Sequence, residues 1–470
     1  MERLSGKSII LRMELDAATG KFGELASAIA EAGGDIIALD VIETSDKTSV
    51  RDITVQANEI SFLDRMKQKL TKLTGVRLIH VSDRTFLLHL GGKITIQAKS
   101  PIQNRDDLSR VYTPDVARVC LAIKEDPQQA YSLTIKRNTV AVISDGTAVL
   151  GLGGIGPSAA MPVMEGKSML FKQFGDVDAF PLCLDTQDTE EIIRIVKAIA
   201  PTFGGINLED ISSPRCFEIE RRLKEELEIP VFHDDQHGTA VVLYAALINA
   251  LKIAGKSISD VKVVVCGIGA AGVACSRILL SAGVKQLVAV DKQGILTPSN
   301  CEHPMHKWLA ERSNSGEVTG NLQDALKDAD VFIGLSAGGL LRRADVELMA
   351  EGRIVFAMAN PTPEIMPDEI EDIVAVAATG RSDYPNQVNN VLCFPGMFRA
   401  ALDCRASDIN EEMKLAAAEA IASIISEEEL NKHYIIPSVF NKQVVPAIRQ
   451  KVIEAAIRTG AAGKIPRDFR

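Results

Sequence analysis

The sequence predicts an α/β enzyme of about three domains, and three observations carry that expectation. Segments with strand spacing alternate with segments of helical spacing along most of the chain. Aromatic residues make up only 4% with a single Trp, which argues against a sheet sandwich or an aromatic sugar-binding face. Two G-x-G-x-x-G patterns occur, at Gly151/Gly153/Gly156 and Gly267/Gly269/Gly272, and such a pattern carries meaning only between a strand and a helix. With 470 residues, 46% of them hydrophobic and 24% charged, the composition is globular rather than disordered, collagen-like or coiled-coil. A length of ~150 residues per domain gives the count of about three.

Taken in chain order, Leu11, Met13 and Leu15 alternate with Arg12 and Glu14 as a half-buried strand requires. Phe22, Leu25, Ala26, Ile29 and Ala30 then repeat at helical spacing until Gly33-Gly34 stops them. Ile37, Leu39 and Val41 alternate again, as do Ile53 and Val55; Leu63, Met66, Leu70 and Leu73 form a second helical stripe, and Val76–Val81 closes the set. The order β-α-β-β-α-β is the ferredoxin-like split unit, expected over residues 1–85. Residues 86–235 open with a polar connection and continue as a second α/β domain with strands TVAVIS, GGINL and IPVF, and helices from Glu190 to Ala200 and after Ser213-Pro214. Residues 236–400 repeat the buried strands VKVVVC, QLVAV, DVFIGL, RIVFAMA and IVAVAAT, the pattern of a Rossmann-like doubly wound sheet. Residues 401–470 read as a helical tail returning to the body.

Lys+Arg 52 against Asp+Glu 62 gives a net charge of −10, so neither a nucleic acid nor a membrane surface is expected as partner. The apolar runs read as too short to span a bilayer, and MERLSGKSIILRMEL lacks the continuous apolar region of a cleavable signal. The expectation is a cytoplasmic protein whose eight scattered cysteines, without a C-x-x-C pair, are reduced thiols.

A dinucleotide site needs a buried strand, a tight glycine turn, a helix whose N-terminal amides face the pyrophosphate, and an acid about 20 residues on. The second glycine pattern meets all of these: Val261–Cys266 is apolar, GVACSRILLSAG is helical, and Asp291 ends QLVAV. Gly267, Gly269, Ala270, Ala271, Gly272 and Asp291 are therefore the expected dinucleotide residues. Asp291 favours NAD, with NADP as the alternative because Lys292 adjoins it. The first pattern has Asp176 at a similar distance, but the segment before that acid, FKQFG, is no strand, so the pattern reads as a structural or substrate-side loop.

Two carboxylate pairs lie where strands end: Glu209-Asp210 after GINL and Asp234-Asp235 after VFH. Adjacent residues point to opposite faces inside a strand and converge only at its end. Hard oxygen ligands suit Mg²⁺ or Mn²⁺. The alternative is that these carboxylates cap helices and complement helix dipoles.

Two resemblances enter on these residues. ATGKFGELASAIAEAGGDI, residues 18–36, resembles the first turn and helix of an ACT regulatory domain, which implies a small effector, such as an amino acid or metabolite, near Gly20–Gly23; the alternative is that these glycines only turn the chain. From about Lys99 onward, VYTPDVA, VISDGTAVLGLGGIGPSAAMPVMEGKSMLFKQF, NLEDIS, VFHDDQHGTA, CGIGAAG, MANPTPEI and NQVNNVLCFPG are similar to malic enzymes of the short bacterial form. The resemblance implies oxidative decarboxylation of L-malate to pyruvate and CO2 with NAD and a divalent cation, in a homodimer or larger oligomer. It implies Tyr112 as catalytic acid, Lys167 as general base, Asp234 as the carboxylate that helps place the base, and Glu209, Asp210 and Asp235 as metal ligands. Asn360 and Asn390 match positions that hold substrate and, for Asn360, the nicotinamide end. One departure is Ala148, where larger members carry an Arg that grips a malate carboxylate. Malolactic chemistry, with lactate as product, and a catalytically weak metabolite sensor are the other readings.

The chemistry fits these residue types. Loss of hydride from C2 of malate requires a base for the hydroxyl proton, and a lysine can serve only when neutral. Protonation of the enol at C3 requires a weak acid, for which a phenol is suited. Tyr112 could instead be a hydrophobic staple before a helix starting at Thr113-Pro114, and Lys167 a solvated lysine like Lys172.

Overall fold

In a computed structural model, which describes residues 7–17, 20–57, 62–301, 303–314 and 316–470, the chain divides into two compact units, Met1–Thr95 and Ile96–Arg470. The first holds strands β1 (Lys7–Asp16), β2 (Gly34–Thr44), β3 (Thr48–Ala57) and β4 (Val76–Asp83) in the antiparallel order β2-β3-β1-β4. Leu11, Met13 and Leu15 of β1 and Ile53 and Val55 of β3 bury against Leu25 and Ile29 of the helix Lys21–Glu31 and Phe62 and Met66 of the helix Phe62–Leu70. The β-α-β-β-α-β order is the one the apolar spacing predicts. The compact unit extends past residue 85 because the helix Arg84–His89 continues from β4 and packs on it. Ile37, Leu39 and Val41, expected to be half-buried, are 50%, 40% and 58% exposed. They lie on an edge strand that is exposed on both faces over residues 37–44, so neither side of it is covered there; its register also shifts between Ile36 and Ala38 and between Val41 and Glu43. Ala18 and Thr19 of the effector segment lie outside the described residues.

The second unit contains two sheets. The smaller is wholly parallel, β5 (Thr139–Ser144), β6 (Asp178–Cys183), β7 (Gly205–Leu208) and β8 (Val231–His233), in the order β6-β5-β7-β8. β5 is buried throughout, as a strand covered on both faces must be. β6 has no strand signature in the sequence because it contains Pro181 and is only partly buried; a proline is tolerated there because β6 is the edge.

The larger sheet comprises β9 (Lys262–Cys266), β10 (Gln286–Asp291), β11 (Gly294–Ile295), β12 (Val331–Gly334), β13 (Ile354–Ala357) and β14 (Val376–Thr379), in the order β11-β10-β9-β12-β13-β14. All neighbours are parallel except the short β11. Strand order reverses between β9 and β12, and ligands of doubly wound sheets bind at such a switch point. The helix Thr239–Ala254 is buried along most of its length. With its preceding turn it forms a 21-residue run, Asp234–Ala254, long and apolar enough to cross a membrane. This corrects the expectation that every apolar run is too short, but 72% of its most apolar window is buried inside the protein, as a core helix requires. The helices Phe394–Asp403, Glu411–Ala422 and Val444–Thr459 share one hydrophobic core with it and with the helix Pro157–Gly175.

Candidate active site

The helix Pro157–Gly175 buries Ala160, Met164, Lys167, Ser168 and Phe171, residues three and four apart that share one face. Lys167 thus stands in the apolar stripe and is only 7% exposed. Its Nζ donates to Asp234 and lies 3.0 Å from Glu209 Oε1, with the Phe394 ring centroid 4.0 Å away. Glu209 and Asp210 follow β7, and Asp234 and Asp235 follow the adjacent β8, so both pairs lie at the carboxyl ends of neighbouring parallel strands.

Local backbone brings the four acids together. Asp210 adopts a left-handed conformation, φ 55°, and its amide donates to Asp235 Oδ2 at 2.7 Å. Asp234–Gly238 forms a π-type turn before the helix, the kind of widened turn that recurs at functional sites. A Cβ at Gly238 would lie 1.9 Å from Asp234 Oδ1, so only glycine lets that carboxylate fold back over the turn. Asn207 in β7 donates to Glu209 Oε2 at 2.9 Å, and Asn390 donates to Asp234 Oδ2.

These carboxyls are crowded, and Glu209, Asp210 and Asp234 are nearly dry, while Asp235 keeps a third of its side chain exposed. Glu209, Asp210 and Asp235 each offer an oxygen within 4.8 Å of the others. Burial first, then the neighbouring carboxylates, pushes Asp210 up to about 9 and Asp235 up to about 6. Burial pushes Asp234 up to about 7 despite Lys167. Burial opposes the Lys167 ammonium, yet Asp234 and Glu209 hold its pKa above the ordinary lysine value. Asp210 Oδ2 is buried without a hydrogen-bond partner. An all-oxygen donor set with excess negative charge and an unsatisfied buried oxygen fits Mg²⁺ or Mn²⁺.

A pH dependence follows. A carboxyl whose pKa is raised by folding binds a proton in the folded state that the unfolded chain releases, so its contribution falls as pH rises between the two values. From about pH 4 to about 9 the metal-free protein is expected to lose stability through Asp210 and its neighbours. Mn²⁺ at 100 times its pH 8 Kd should add about 2.7 kcal/mol, a Tm rise of about 3 °C at pH 8 for a chain of 470 residues, and the same concentration should add less at pH 5, where protons compete. Calorimetric scans at both pH values with and without Mn²⁺ check this; an equal shift at both would contradict it.

A second site lies at the switch point of the large sheet. Gly267 follows β9 with φ 97°, and a Cβ there would meet Leu335 O at 2.6 Å. A Cβ at Gly272 would lie 2.0 Å from Gly267 O, so glycine is needed for the close approach of turn and helix. Gly269 faces open space just before the helix Ala270–Ser281, and Asp291 ends β10. Ala270 and Ala271 form the first turn of that helix, whose amides suit a pyrophosphate.

Residues 91–224 match the malic enzyme N-terminal domain and 236–457 the malic enzyme NAD-binding domain. The chain is 64% identical to an NAD-dependent malic enzyme of Geobacillus stearothermophilus over 458 residues, 97% of this chain and 96% of that one. The chain belongs to the malic enzyme family. It is also 54% identical to a bifunctional malic/malolactic enzyme of Bacillus subtilis, over 79% of this chain and 91% of the relative. A crystal structure of the NAD-dependent malic enzyme of Thermotoga maritima superposes with a TM-score of 0.76 at 49% identity, covering 80% of this chain and 99% of that one.

Within this malic enzyme fold the anticipated residues divide into groups. Lys167, Glu209, Asp210, Asp234, Asp235 and Asn390 come together, linked by the contacts above. Asn360 precedes a cis peptide to Pro361 after β13, and its carbonyl oxygen lies against Gly151, which places the first glycine loop beside it. Lys172 is a surface residue bonded to Asp176 and Asp178. Tyr112 ends the helix Arg105–Val111 and is 70% exposed; among the described residues no hydrogen bond or ring contact joins it to the carboxylate cluster. The next helix starts at Val116 after Asp115, not at Thr113-Pro114. Phe394 and Asn207 were not foreseen. Asn207 leaves a signal, a polar residue inside the buried strand GINL, whereas Phe394 looks like any core aromatic.

Proposed function

We propose that this chain oxidises L-malate with NAD in the cytoplasm, releasing pyruvate, CO2 and NADH. The observation that carries the reading is Lys167 Nζ held between Asp234 and Glu209, at the edge of a three-carboxylate, cation-fitting cluster. A divalent cation would supply Lewis-acid charge to the substrate, and NAD would supply the hydride acceptor. Glu209, Asp210 and Asp235 would hold the cation. With their charge taken up in that way, these carboxylates would hold the Lys167 proton less strongly, and Lys167 in its neutral form would accept the malate hydroxyl proton. Asp234 and Asn390 fix the position of that amine, Asn360 meets substrate and nicotinamide, and Tyr112 delivers the proton to C3 of the enol. Gly267, Gly269, Gly272 and Asp291 hold the dinucleotide, with the Asp291 carboxylate disfavouring a 2′-phosphate.

Incubation with malate, Mn²⁺ and either NAD or NADP, followed by product analysis, tests this. NADH and pyruvate are expected, and no reduced cofactor with either nucleotide would refute it. The 54% identity to a bifunctional relative favours a second reading, malolactic chemistry, which lactate without net NADH would reveal. The eight unpaired cysteines support a reducing compartment.

Residues 1–95 would carry an effector site, since Gly20 and Gly23 both face open space. Removing residues 1–95 and assaying a panel of amino acids and central metabolites tests it; identical kinetics with and without the segment would end the regulatory reading. Tyr112, which like Leu108, Val111 and Leu121 is an exposed large apolar residue of this segment, would serve the site of a second copy in a homodimer.

A further inference from the structure

Behind the carboxylate cluster lies a second buried set of ionisable groups that the proposed chemistry leaves idle. Glu220 of the helix Arg215–Glu226, His237 of the π-type turn and Lys414 of the helix Glu411–Ala422 are 6%, 6% and 4% exposed. His237 Nε2 lies 2.9 Å from Glu220 Oε2, and Lys414 Nζ lies 3.1 Å from His237 Nδ1. The same carboxylate accepts from the His233 amide at 3.2 Å through Oε1. Lys414 has one further carboxylate, Glu411 at 3.4 Å. The partners fix one tautomer: Nε2–H donates to Glu220 and Nδ1 accepts from the Lys414 ammonium.

Burying this many charges is costly, and an apolar replacement of similar volume is often no less stable. Stability alone is therefore a weak reason for the set. Its geometry offers a stronger one. Glu220 grips the chain at His233 and again at His237, and between those two holds stand only Asp234, Asp235 and Gln236. We infer that Glu220, His237 and Lys414 are positioning residues that clamp both flanks of the Asp234-Asp235 pair, setting its distance from Lys167 and from Glu209-Asp210. This rests on the cation-binding reading above. Partners one layer behind a metal ligand typically affect metal affinity or activity by 10–100-fold.

The test uses the full chain and Mn²⁺ alone, reading free Mn²⁺ by electron paramagnetic resonance, with a circular dichroism melt to confirm folding. Glu220→Gln should weaken Mn²⁺ binding by about 10–100-fold while NAD binding, measured by dialysis, stays within about twofold. His237→Gln restores one donor and one acceptor and should keep the Mn²⁺ affinity within about threefold, whereas His237→Leu should lose about as much as Glu220→Gln. A role in packing alone would not separate those two substitutions in this way. Should Glu220→Gln fail to fold, the His237 pair and Lys414→Met decide. Equal Mn²⁺ affinity in the parent and every folded variant overturns the clamp and leaves the cation site standing; no Mn²⁺ binding by the parent overturns both.

Discussion

Lys167→Ala is expected to lower kcat for malate oxidation by about 10²–10⁴-fold at saturating malate, NAD and Mn²⁺, the usual worth of a positioned general base. Decarboxylation of added oxaloacetate should persist, because that step needs the cation rather than the amine. The substitution also removes the only ammonium bonded to Asp234 and Glu209 among the described residues. Breaking a buried pair leaves an uncompensated charge worth about 3–5 kcal/mol, so the metal-free variant should melt below the parent and recover more with Mn²⁺. Lys167→Met, which keeps the stem that packs in the helix stripe, separates the two effects: it should match Lys167→Ala in rate while melting higher. A fall in kcat of less than tenfold would remove Lys167 from the role of base.

Tyr112→Phe should lower overall turnover by about 10²–10³-fold and do so at protonation of the enol, leaving reduction of NAD in a single turnover close to the parent. Because the chain's own fold leaves Tyr112 70% exposed, the acid should act across an interface between copies. Two inactive variants then complement each other. Co-refolded Tyr112→Phe and Lys167→Ala should regain up to about a quarter of parental activity, since half the dimers are mixed and each mixed dimer assembles one intact site. Mixing without recovery would place Tyr112 in its own chain's site or outside the chemistry, and unchanged turnover of Tyr112→Phe alone would dismiss it as the acid.

Elements with an unbroken periodicity were legible before the fold. β9, β10, β12, β13 and β14 are near-continuous apolar runs because both faces of the large sheet are covered, and Asp291 is placed by strand length alone. Metal-type carboxylates were legible as pairs at strand ends, although convergence on one cation depends on the left-handed turn at Asp210 and the π-type turn after Asp234, neither of which leaves a periodic signal. β6 was hidden by Pro181, and β2 misled because this edge strand is exposed on both faces over residues 37–44 although its apolar residues alternate. Lys167 could have been placed in the core from Ala160, Met164 and Phe171 around it. Glu220 and Lys414 could not, since 194 positions separate them in the chain and each looks like a surface charge on an amphipathic helix.

The widened turn at Asp234–Gly238 also separates two demands on one segment. A continuous α-helix from Asp234 would tie the direction of its carboxylates rigidly to the apolar side that Thr239–Ala254 presents to its neighbours, at about 100° per residue. A turn of different pitch in between sets a different fixed offset, so Asp234 and Asp235 need not lie where continued steps of about 100° would put them. The buried helix Thr239–Ala254 can therefore pack its apolar side chains in the core while Asp234 faces Lys167 and Asp235 faces the Asp210 amide.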